Sequence, residues 1–117
     1  MLRKLSMTLL LCSLIAAGCK YDAASADACS TAYVTYSSTI TGILRNNGCY
    51  SCHGTPLNSG APFNLETHAN VIAHQDRLLG AIKHLNGFAP MPQGKPQMSQ
   101  CEINQVQAWL EAGAPNN

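Results

Sequence analysis

Two cysteines and a histidine fall within five positions, "CYSCH" at residues 49–53. Three chemistries suit such a cluster. C-x-x-C-H is the attachment spacing for a c-type haem: two thiols three residues apart on a helical turn can each form a thioether to a haem vinyl group, and the adjacent histidine is then held beneath the iron. A structural zinc ion wants four ligands in a tetrahedron, usually from two paired motifs. Only one pair exists here, and Cys29 or Cys101 would have to complete the set without a matching spacing. A redox dithiol needs a βαβ setting, and no run of alternating residues argues for a strand. Haem c is the expectation, with zinc and a bare dithiol as the alternatives.

A haem iron held by His53 has a second face. Candidates are Met91, Met98, His68, His74 and His84. Met91 sits in "FAPMPQG" between Pro90 and Pro92, with no helical stripe to join, and two fixed φ angles would hold its thioether at low entropic cost. Met98 directly precedes a helix start, where an apolar residue staples the first turn. The histidines have solvent-facing or interhelical roles that need no iron. Met91 is the expected sixth ligand, with the histidines, His84 foremost, and then Met98 behind it.

The elements that must position these residues are short. In "TYSSTITGILRNN", Tyr36, Ile40, Ile43 and Leu44 share a helical face and Ser37 can cap its start. "NLETHANVIAH" and "DRLLGAIKHLN" give two further helices, the second with a stripe of Leu78, Leu79, Ile82 and Leu85 and a stop at Asn86-Gly87. The last helix opens on a Ser99/Glu102 capping box, sets Ile103, Val106, Trp109 and Leu110 on one apolar face, and ends at Gly113 and Pro115. Two loops rich in proline and glycine, "GTPLNSGAP" and "GFAPMPQGKPQ", separate these helices. With one Trp, four Tyr and two Phe, so small a helical set needs something to fill its middle.

The first eighteen residues read as an export signal: basic Arg3 and Lys4, an apolar run too short to span a bilayer, and small residues Ala16, Ala17 and Gly18. "AAGC" resembles the lipobox of bacterial lipoproteins, with Ala16 where that pattern prefers Leu. The resemblance implies a lipid on Cys19, and residues 19–28 then form the anchor and a flexible tether to a domain at 29–117. Ordinary cleavage nearby, leaving Cys19 a free thiol, is the alternative. With Cys12 in the signal and Cys49 and Cys52 in the cluster, Cys29 and Cys101 remain. In an oxidising compartment a disulfide between them is expected, with two buried thiols as the alternative. Near-neutral charge without a basic run gives no electrostatic footprint for nucleic acid.

Taken together, "CYSCH" after an amphipathic helix, Met-Pro at 91–92 and the closing "WLEAGAP" resemble a small class I c-type cytochrome, of the kind found in bacterial membrane-anchored lipoproteins. The resemblance covers roughly residues 29–115. It implies an all-α fold of three to five short helices around one covalent haem, with Cys49 and Cys52 as attachment points and His53 and Met91 as axial ligands. It also implies that the first and last helices cross, with Gly42 and Trp109 candidates for the contact, although Gly42 lies nearer the cysteines than the pattern places it.

The function expected is electron transfer, not enzymatic catalysis, on the periplasmic or outer-surface side of a membrane, with redox proteins as partners. A haem peroxidase or sensor with a labile sixth ligand is the alternative, and a zinc-stabilised exported domain a remote one. No paired carboxylates, nucleophile motif or phosphate-binding glycine loop suggests another catalytic centre.

Overall fold

The computed structural model describes residues 29–117. The expected signal segment 1–18, the lipid-bearing Cys19 and the tether 19–28 lie outside the described residues. The described part is helical, with no strands.

The first helix begins as a π-helical turn, Tyr36–Ile40, and runs without a break into α1, Thr41–Asn46. Its apolar stripe faces inward as the spacing requires: Tyr36, Ile40, Ile43 and Leu44 are all buried. Ser37 does not cap it. The helix starts after Thr35, and Ser37 lies inside it, its carbonyl accepting a bond from Thr41 Oγ1 at 2.7 Å. The capping is instead tertiary: Asn117 accepts from the Ser37 N–H through its backbone carbonyl at 2.8 Å and from the Tyr36 N–H through its side chain at 2.9 Å.

Gly48, at φ 72°, turns the chain out of α1. The N–H of Cys49 reaches back to the Leu44 carbonyl at 2.9 Å and that of Gly48 to Arg45 at 3.0 Å, closing the helix with a left-handed residue that glycine occupies without a Cβ penalty. One turn of helix follows at once, α2, Tyr50–His53. Then come α3, His68–Ala73, capped by Thr67 on the Asn70 N–H, and α4, Gln75–Ile82. Two of the four residues in the expected α4 stripe, Leu78 and Ile82, are buried, whereas Leu85 lies beyond the helix and is exposed. The stop comes before Asn86-Gly87, because His84 itself turns left-handed at φ 53°.

The last helix, α5, Gln100–Glu111, has the full capping box at Ser99 and Glu102. Glu102 also accepts a hydrogen bond from Asn47 at 2.9 Å, joining the end of α1 to the start of α5. Ile103, Val106 and Trp109 are fully inside, and Met98, buried before the cap, belongs to the same core as Ile103 in the staple position. Truncating Trp109 would cost about 3–5 kcal/mol on the usual scale for buried aromatics.

The first helix and α5 do meet, but not through Gly42: a Cβ there would find nothing within 4 Å. The aromatic surface that Trp109 meets comes a turn and a half earlier, from Tyr36, whose ring stacks on it at 5.7 Å. His68 closes the cluster edge-on to both rings, its Nε2 on the Ala114 carbonyl at 2.8 Å. Cys29 and Cys101 form the expected disulfide, Cα to Cα 5.3 Å, across 72 residues of sequence. Such a closure contributes about 2–4 kcal/mol in typical cases.

Candidate functional site

Between the turn that follows α1, α2, α4 and the two long loops lies a cavity of about 680 Å³, within the range of roughly 300–1,000 Å³ for small-molecule and cofactor sites. Cys49, Cys52, His53 and Met91 all line it. Residues separated by up to 42 positions thus converge on one space, from two different elements.

The attachment side is rigid. His53 closes α2 and is 7 % exposed, and its backbone N–H is bonded to the Cys49 carbonyl at 2.8 Å. Its ring Nδ1 lies 2.8 Å from the Phe63 carbonyl. A carbonyl only accepts, so Nδ1 carries the proton and Nε2 is left with its lone pair for a metal; a partner on the far nitrogen is the usual way a ligating histidine is oriented. The following loop is pinned to the same turn, with the N–H of Asn58 on the Cys52 carbonyl at 3.0 Å and that of Leu65 on the His53 carbonyl at 2.8 Å. Gly54 permits that fold-back, since a Cβ there would collide with the Tyr50 carbonyl. Phe63 contributes its ring as well, 4.9 Å from His53 on one side and stacked on His74 at 4.1 Å on the other, with the Arg77 guanidinium 5.1 Å above it.

Cys49 and Cys52 are free thiols, both half-buried. Burial pushes the Cys49 thiol up to about 11, with the Glu102 carboxylate adding to the effect while its own backbone hydrogen bond and Lys95 oppose it. It is therefore protonated at neutral pH, and a thiol in that state is slow to oxidise. Cys29 and Cys101, the two residues that a zinc site would have to recruit, are bonded to each other. Among the described residues no group of three or more His, Cys, Asp or Glu is placed to hold a metal ion.

The other side is a loop. Met91 is half-buried, its N–H on the Ala81 carbonyl at 3.1 Å. Phe88 lies over Gly80, where a Cβ would come within 2.6 Å of the ring. Met98 also borders the cavity, from below the α5 cap. None of the three histidines weighed against Met91 lines the cavity: His68 and His74 are held in aromatic contacts, and His84 is exposed.

Spacing and residue type brought four of these residues to notice, but not Phe63, Gly80 or Phe88. Phe63 carried a faint signal, being an aromatic in a loop with no helical stripe to join. Arg77 and Lys95, the cavity's cationic lining, look in sequence like any solvated charge.

The donor set and the space suit a haem c: two free thiols at the attachment spacing, an imidazole with its outer nitrogen free, and a methionine lining the same cavity. The chain matches no protein-family model, no curated protein and no solved structure at significant similarity. No helix among the described residues is long and apolar enough to cross a membrane.

Proposed function

We propose that this chain is a monohaem c-type cytochrome that transfers electrons between redox proteins on the periplasmic or outer-surface side of a bacterial membrane. The observation that carries the reading is the convergence of Cys49, Cys52, His53 and Met91 on one cavity of cofactor size. In this reading Cys49 and Cys52 would hold the haem through thioethers, and His53 Nε2 and the Met91 sulfur would be the residues that ligate its iron. The bound haem supplies a one-electron iron couple, whose potential a methionine ligand raises.

The chain's own residues set the conditions for that couple. Phe63 fixes the tautomer and plane of His53. Leu65, Leu78, Ile82 and Met98 give the cavity one apolar, buried wall, and an apolar shell around a metal centre shifts its redox poise. With both protein ligands in place no iron position would be open to substrate, which favours electron exchange over catalysis. Lipidation of Cys19 would tether the domain to the membrane through residues 20–28.

The test is expression with haem-maturation machinery. Covalent haem with a sulfur-ligated spectrum in the parent protein, and loss of that sulfur signature with a lowered potential in Met91→Ala, is the expected result. A parent protein without covalent haem overturns the reading; an unchanged Met91→Ala spectrum removes Met91 from the iron.

A further inference from the structure

Three helices end with the same pair of crossed hydrogen bonds, each needing one residue in the left-handed region. At the end of α1 that residue is Gly48, at φ 72°, and at the end of α5 it is Gly113, at φ 88°. At the end of α4 it is His84, at φ 53°. There the His84 N–H meets the Ala81 carbonyl at 3.2 Å and the Leu85 N–H the Gly80 carbonyl at 3.0 Å. A side chain with a Cβ is disfavoured in that conformation, and glycine is the ordinary solution. The cap alone therefore does not account for histidine.

What the ring does accounts for it. His84 Nε2 lies 3.0 Å from the Met91 carbonyl, and since a carbonyl only accepts, Nε2–H donates. The Met91 N–H is bonded in turn to the Ala81 carbonyl, the same oxygen that closes the helix on His84. Both backbone polar groups of Met91 are thus held by the last turn of α4, one through a side chain and one through the main chain. Between these anchor points the loop lays Phe88 against Gly80. A methionine thioether is long and flexible, so the fold can place its sulfur only by holding its backbone.

We infer that His84 is a positioning residue: its ring clamps the Met91 carbonyl, so that the Met91 thioether is presented to the cavity. The inference rests on the haem reading for its consequence, which is firm sulfur ligation, but the clamp itself is a property of the polypeptide.

The variants are His84→Gly, which removes the ring while suiting the left-handed turn, and His84→Gln, which keeps an amide donor at similar reach. A mere helix cap predicts that His84→Gly leaves Met91 undisturbed and the fold at least as stable. The clamp predicts faster amide hydrogen exchange at Met91 in His84→Gly with the unfolding midpoint unchanged or raised. In haem-loaded protein it also predicts a lower potential and roughly fivefold tighter displacement of the sulfur by added imidazole, the worth of one ordinary hydrogen bond. His84→Gln should recover part of each effect. Unchanged exchange at Met91 in His84→Gly overturns the clamp, as does unchanged imidazole affinity in a protein whose Met91→Ala variant does respond. Insensitivity of Met91→Ala itself to imidazole overturns the haem-ligand role while the exchange result still judges the clamp.

Discussion

His53 and Met91 face the same cavity under different constraints. His53 sits in a helical turn, is 7 % exposed, and is bonded at its N–H, its carbonyl and its ring to groups within twelve residues of chain. Met91 sits in a loop of exposed residues, and its bonds run to the end of α4. One side of the site is thus part of the core, while the other is a flap fastened to a helix end. Loops of that kind open at lower free energy than core elements. A ligand set built this way would keep one ligand fixed and leave the other responsive to its fastenings.

The largest expected effect is on the fixed side. His53→Ala leaves the Phe63 carbonyl without its donor and removes a buried ring, and should lower the stability of the haem-free chain by about 1–3 kcal/mol in denaturant titration; the haem-binding spectrum should be lost with it. Met91→Ala should behave differently, costing about 1 kcal/mol or less because the side chain is only half-buried, while changing the spectrum of the loaded protein fully. Equal stability losses for the two variants would erase the contrast between core and flap.

Gly80→Ala probes the fastening. The new methyl would meet the Phe88 ring, and overpacking of this kind costs about 1–3 kcal/mol; because Phe88 is partly exposed and can swing out, a loss near the lower end and a loosened Met91 loop are expected, measured by thermal unfolding and by hydrogen exchange across residues 85–91. Gly42→Ala is the control elsewhere in the molecule. With open space around its Cβ, this helical glycine should gain about 0.5–1 kcal/mol on replacement. A loss at Gly42 would restore it to the helix contact that Tyr36 occupies.

The smallest effect is electrostatic. Hydrogen bonds from Thr55 and then Asn64 hold the Glu66 carboxyl below its ordinary value. A folded pKa below the unfolded one favours the folded state once pH exceeds the unfolded value, and that contribution is lost as pH falls through the folded value. Glu66→Gln should therefore flatten the acid limb of the stability curve slightly, with little change at neutral pH. An unaltered acid limb would show that the attachment loop does not depend on this carboxylate.

Much of the helical layout was legible because its signals are local. The stripe of Ile103, Val106 and Trp109, the Ser99/Glu102 box, and the Gly113 turn each need only a few neighbouring residues. The first helix shows where local reading fails: Ser37 has the right chemistry for a cap, yet Asn117 satisfies those N–H groups from across the fold. The expected Gly42 contact fails for the same reason, since nothing near Gly42 in sequence says that Tyr36 will reach Trp109 first. In sequence His84 is the foremost histidine alternative to Met91; in the fold it is exposed and ends α4.

By itself the sequence determined the all-α character, the order of the helices, the pairing of Cys29 with Cys101 as the expected bridge, and the choice of Cys49, Cys52 and His53 as the candidate site. These follow from spacing and residue type, which act over one or two helical turns or through simple elimination among cysteines. Only the tertiary structure decided that Met91 shares a cavity with them, that Phe63 orients the histidine, and that the end of α4 holds the loop. Those outcomes depend on which backbone carbonyls meet which donors after the chain has folded back on itself, and that meeting is set by packing across the whole domain.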